Sequence, residues 1–172
     1  MATFDGKELD IVHYPAEVLR QRAREVDRPG EELRPLVERM VEVMMEEGGI
    51  GLAAPQVGVS LRVIVVSLTA KPEDAVAYVN PELSDFDGVE EMEEGCLSLP
   101  GVRARVRRSA RCWLRALDLE GKVVERELEE MEARVFQHEV DHLNGVLFID
   151  RLGSVAKLAV RRKLRQLEAA ER

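Results

Sequence analysis

Apolar residues recur at helical spacing between Glu31 and Glu47, where Leu33, Val37, Met40, Val41 and Met44 share one face. That pattern predicts an amphipathic helix, and Gly48-Gly49 supplies its stop. A shorter helical stretch is expected from Ala16 to about Ala23, after Ile11-Val12 and Tyr14-Pro15. Residues 48–58 are punctuated by glycine and proline and read as a loop with neither period. The run Leu61–Ser67 reads as a buried strand, and Ala75–Val79 as a second. Residues 102–108 and 110–118 alternate in part, and Lys122–Leu128 pairs back across the turn at Glu120-Gly121. A further helix is predicted from about Met131 to Leu143. Glu129, Glu130 and Glu132 favour its positive end, and Asn144-Gly145 close it. The last helix runs from about Ser154 toward Ala170. Strands bunched between helices, without β-α-β alternation, predict an α+β fold.

No repeat or linker divides the 172 residues, so one domain spanning 1–172 is expected. Aromatic residues make up only 4% of the chain, which leaves the core to Val, Leu, Ile, Ala and Met. A net charge of −8 argues against nucleic acid covering the surface at large. The charge is unevenly spread, however. From Arg151 onward seven basic residues meet two acidic ones, giving +5 and leaving −13 on residues 1–150. The basic helix over 155–172 reads either as a handle for an anionic partner or as a solvated face. Cys96 and Cys112 show no Cys-x-x-Cys pattern, which suits a reducing compartment. The first ten residues have no apolar stretch and predict no secretion signal. No run approaches the roughly 20 apolar residues of a membrane span. A cytoplasmic protein with no membrane contact is expected.

Candidate chemistry concentrates in Gln137-His138-Glu139-Val140-Asp141-His142, inside the predicted third helix. A spacing of four stacks both imidazoles on one face, where they can hold one cation. Glu139 is displaced about 100° around the axis, so it can reach a water without being a ligand. Asp141 is a candidate for orienting an imidazole. A catalytic tetrahedral site needs a third protein ligand. No histidine follows His142, and Glu168 and Glu171 lie at the end of the basic tail. Cys96, in Glu94-Gly95-Cys96-Leu97-Ser98-Leu99-Pro100, is the better choice, because glycine before it and proline after it favour a tight bend. Cys112, flanked by Arg111 and Trp113, reads as a small buried hydrophobe. In Gly48–Gly58 the polar Gln56 sits in an apolar stretch and suits donation to an oxyanion. A zinc peptidase, which would need a ligand beyond His142, and a closed structural metal site, which would need a fourth ligand, are the competing readings.

Taken together, three segments resemble the peptide deformylase family: Gly49–Gln56, Glu94–Ser98 and Gln137–His142, in that order and each intact. The resemblance runs from Ile11-Val12 to Gly145-Val146-Leu147-Phe148 and is of the compact bacterial type. Tyr14-Pro15-Ala16-Glu17 departs from the more usual Pro-Asp without touching a catalytic position. The resemblance implies antiparallel or mixed sheets packed around a central helix that carries the His-Glu-x-x-His motif, with a C-terminal helix. It implies removal of the formyl group from N-formylmethionyl nascent peptides, with release of formate. Cys96, His138 and His142 would bind one divalent ion, iron(II) by expectation, although the donor set also suits zinc, nickel and cobalt. Glu139 would be the general base, and the Gln56 side chain and Leu97 N–H would meet the oxyanion. Ile50 and Gly51 would pair with the substrate backbone. Gly95 and Arg103 would contact the substrate chain, and Met131 and Val135 would line the methionine pocket. The basic C-terminal helix would contact the ribosome.

Overall fold

The computed structural model describes residues 9–171. The expectation of no secretion signal falls mostly on residues 1–8, outside the described residues. Helix α1, Arg34–Glu46, follows a 3-10 turn and buries Leu36, Val37, Met40, Val43 and Met44. Strands β1 (Gly51–Ala53), β2 (Val63–Val66), β3 (Val76–Asp87), β6 (Arg111–Leu117) and β7 (Val123–Glu129) form an antiparallel sheet in the order β1-β2-β3-β6-β7. Strands β4 (Glu90–Cys96) and β5 (Leu99–Arg108) form a separate antiparallel pair. Helices α2 (Glu130–Leu143) and α3 (Ser154–Ala170) complete the order. Among the described residues no helix is long and apolar enough to cross a membrane.

The buried strand β2 shows why two helices are needed. All four of its residues are apolar and buried, and alternation sends them to opposite faces. Val63 and Val65 meet Leu36, Met40 and Met44 of α1, whereas Ile64 and Val66 join Ala133, Phe136 and Leu143 of α2. Phe136 meets the Tyr78 ring edge-on, with centroids 4.9 Å apart. Helix α2 is therefore pinned by its apolar stripe, and its polar stripe is turned toward the β4–β5 pair. A third apolar cluster joins Leu99, Val102 and Val106 of β5 to Phe148, Ile149 and Val160. The chain leaves α2 at Gly145, whose φ is +72°, and a Cβ there would stand 2.4 Å from the Arg20 carbonyl oxygen.

The α+β architecture, α1, α2, α3 and the β6–β7 hairpin agree with the expectations. Three local readings are corrected. The stretch 16–23 forms only a 3-10 turn, Glu17–Arg20. Beyond it the backbone spends its donors on distant partners: Ala23 N–H reaches the Leu143 carbonyl, and Arg24 N–H the Ser60 carbonyl. The loop 48–58 contains β1 and a 3-10 turn, Ala54–Val57, because Gly51–Ala53 finds a ladder partner in β2. Strand β4 was not expected at all. Its charged sequence hides the period, and its register comes from pairing with β5.

Candidate metal centre and active-site cleft

One turn of α2 separates His138 from His142, and their Nε2 atoms approach to 3.3 Å. Cys96 reaches the same point from the end of β4, where the register shifts and Leu97-Ser98 turn the chain into β5. Its Sγ lies 3.3 Å from His142 Nε2. The three donor atoms all fall within 4.8 Å of one another. Two ring nitrogens and a sulfur aimed at one spot cannot all be satisfied by protons passed among themselves. One cation accepts all three lone pairs, so the donor set fits a metal. Glu168, weighed as a third ligand, instead accepts a bond from the Tyr14 hydroxyl at 2.8 Å.

Behind His138, the Nδ1 atom stands 3.0 Å from Glu94 Oε2, which orients the ring. Glu94 is in turn gripped by Arg108 through two bonds, 2.6 and 3.0 Å, and by Arg134 at 2.7 Å. Burial alone would raise the Glu94 carboxyl, but the bonds to His138 and Arg108 hold it at about 2. The expectation that Asp141 orients an imidazole is corrected. Asp141 binds Arg108 at 2.9 Å and Arg151 at 2.6 Å, one shell further back. Sequence reasoning gave Glu94 no role although it lies in the cysteine segment. Its partners stand 14 and 40 positions away, and no local spacing announces them.

In front of the imidazoles lies Glu139, 4% exposed, with a buried Oε2 that has no hydrogen-bond partner among the described residues. Burial pushes its carboxyl up to about 7, against the pull of His138. Gly51 passes close enough that a Cβ there would stand 2.7 Å from Glu139 Oε1. Gln56 is buried in the 3-10 turn after β1 and is held by the Ala53 N–H, which donates to Oε1 at 3.0 Å. That bond turns its Nε2 toward Cys96 Sγ at 3.5 Å and the Ser98 hydroxyl at 3.2 Å.

A cleft of about 680 Å³ opens onto these groups. Gln56, Cys96, Leu97, His138 and Glu139 line its floor, and Ile50, Gly51, Gly95, Met131 and Val135 line its walls. Arg103 stands at its margin, paired with Glu93 at 2.9 Å. His142 lies beneath the lining, 1% exposed. Strand β1 is the end strand of its sheet, so one of its edges has no ladder partner among the described residues. The structure thus brings the expected site residues together at one cleft, with His142 just beneath its lining. Cys112 is 1% exposed, as expected of a packing residue, and burial followed by the Glu132 charge raises its thiol to about 11.

An α+β fold that presents a cysteine, a His-Glu-x-x-His helix and a buried carboxylate in one cleft defines a metal-dependent hydrolase. The model of the polypeptide deformylase family matches residues 8–158, and the chain belongs to that family. A peptide deformylase from Acidobacterium capsulatum is 46% identical over 162 residues, which cover 93% of this chain and 95% of the relative. Two solved structures are similar as well. A plant peptide deformylase has a TM-score of 0.94 at 36% identity, covering 99% of this chain and 94% of that one. The enzyme from Plasmodium falciparum has a TM-score of 0.91 at 38% identity, covering 94% and 96%. The chain is accordingly an enzyme that removes the N-formyl group from nascent peptides.

Proposed function

We propose that one catalytic domain over residues 1–172 hydrolyses N-formylmethionyl peptides at an ion held by Cys96, His138 and His142. The observation that carries this reading is the convergence of those three donors beside the Glu139 carboxylate, unpartnered among the described residues. Iron(II) is the proposed ion, although one thiolate with two imidazoles also suits zinc, nickel or cobalt. A bound divalent ion supplies Lewis acidity and lowers the pKa of water at its open position. Glu139 takes the proton from the attacking water and returns it to the leaving amine. Burial raises its carboxyl above the ordinary range, which favours its taking up a proton. The Gln56 amide and the Leu97 N–H donate to the oxygen on which charge develops. Gln56 is prepared for this because its own carbonyl is already tied to Ala53.

Ile50 and Gly51 extend the sheet by pairing with the peptide backbone, and Gly95 keeps the opposite wall low. Arg103 holds the chain beyond the first residue, and Met131 and Val135 receive the methionine side chain. The small formyl group fits between the floor and Gly51, where a Cβ would already collide with Glu139. Formate release from a formyl-methionyl peptide, with metal analysis of the same sample, tests the reading. Stoichiometric metal with formate release is expected. Peptide-bond cleavage without formate would contradict it.

We further place the enzyme in the cytoplasm, at the ribosome. Helix α3 exposes Arg161, Arg162 and Arg165 together with the apolar Val155 and Leu158. Reversing those three arginines to glutamate is expected to abolish co-sedimentation with ribosomes while formate release from a free peptide persists. Undiminished co-sedimentation would end this assignment.

A further inference from the structure

A second cleft, about 840 Å³, opens on another face of α2, lined there by Gln137, Val140, Asp141 and Asn144. Its walls carry five arginines, Arg22, Arg62, Arg107, Arg108 and Arg151, against two carboxylates, Glu82 and Asp141. Asp141 is already committed to Arg108 and Arg151. Among the described residues, Arg22, Arg62 and Arg107 have no carboxylate within ion-pair distance, since every ion pair in this region uses other arginines. Arg62 is only 6% exposed and donates through Nη1 to the Leu143 carbonyl and the Asn144 side chain, both at 3.0 Å. Its hydrogen bonds go only to these neutral acceptors among the described residues, and burial followed by the Arg22 charge disfavours its protonation, against the opposing charges of Glu25 and Glu82. Arginines are the side chains that grip phosphate through paired N–H groups.

Part of the lining is of a different kind. Leu83, Phe86 and Val89, at the end of β3 and the turn beyond it, line the same cleft. Phe86 is 55% exposed and Val89 63% exposed, so an aromatic face and an aliphatic side chain stand uncovered beside the cationic wall. The volume falls in the range of small-molecule sites, about 300–1,000 Å³. A ligand with an anionic end and a flat apolar end matches both kinds of lining at once.

We propose that this cleft binds a nucleotide, with its phosphates on Arg22, Arg62 and Arg107 and its base against Phe86. The cleft is lined by none of the three metal-donor residues or Glu139, although it shares Arg108 and Asp141 with the framework behind His138. Calorimetric titration of the metal-loaded enzyme with ADP tests it, with adenosine, inorganic phosphate and a uridine decamer as comparison probes. ADP is expected to bind one per chain, more tightly than adenosine or phosphate. Arg22→Ala with Arg107→Ala, both at exposed positions, should weaken ADP by about tenfold or more. Phe86→Ala should weaken ADP but not phosphate, and Arg105→Ala, outside the cleft, should change neither. No saturable ADP binding, or binding indifferent to the arginine pair, overturns the proposal. Phosphate binding as tightly as ADP reduces the site to a simple anion site and overturns the base contact. A decamer that binds about a hundredfold more tightly than ADP overturns it in favour of an open RNA-binding surface.

Discussion

Two carboxylates flank the imidazole pair, and both are buried, yet their surroundings are opposites. Glu94, behind His138, accepts from Arg108, Arg134 and His138, and its carboxyl is held at about 2. Glu139, on the cleft side, has a buried oxygen with no partner among the described residues and a carboxyl near 7. The same functional group is thus set for two tasks by its neighbours. Surrounded by guanidinium groups it is a permanent anion that fixes a ring. Left without them in a dry wall it can accept and release a proton. The region behind the imidazoles is a bonded framework, and the region in front is left open to change.

The contrast can be broken most sharply at Glu139. Glu139→Gln keeps the shape but removes the base, so kcat should fall by up to about 10⁴-fold with metal content unchanged. Near-normal formate release from this variant would erase the distinction between the two carboxylates. Gln56→Leu removes one oxyanion donor and should lower kcat by about 10²–10³-fold with little change in KM, read from steady-state kinetics. An effect confined to KM would make Gln56 a ground-state contact only. Glu94→Gln acts on the framework: metal affinity, measured by chelator competition, should drop about 10–100-fold. The midpoint of thermal unfolding should fall with it, since Arg108 and Arg134 lose a buried counter-charge. Unchanged affinity would show that the ring needs no orienting carboxylate. The smallest effect belongs to Arg103, which is exposed and, among the described residues, paired only with Glu93. Arg103→Ala should raise KM by no more than about tenfold and leave stability within about 1 kcal/mol.

What could be read from the sequence follows the same division. The front of the site was legible because its residues sit in three short segments whose internal spacing carries meaning. Four residues place two imidazoles on one helix face, and a glycine-rich run before Gln56 signals close approach. The framework was not legible. Glu94, Arg108, Arg134 and Arg151 come from β4, β5, α2 and the turn before α3, and only tertiary packing unites them. Asp141 misled for that reason: proximity along the helix suggested an imidazole partner, whereas its direction serves Arg108 and Arg151. Among the elements, the helix expected from Glu31 begins three residues later at Arg34, behind a 3-10 turn, whereas the ends of α2 and α3 fall within a residue of expectation. Strand β4, acidic along most of its length, and the three-residue β1 depend on their ladder partners and leave no pattern of their own.

The central claim is that Cys96 joins His138 and His142 around one ion, and X-ray absorption at the metal edge of the zinc-loaded enzyme reads that arrangement directly. One sulfur at about 2.3 Å with two nitrogens at about 2.0–2.1 Å is expected, and the sulfur shell should disappear in Cys96→Asp. A first shell made only of nitrogen and oxygen in the parent enzyme would contradict the account.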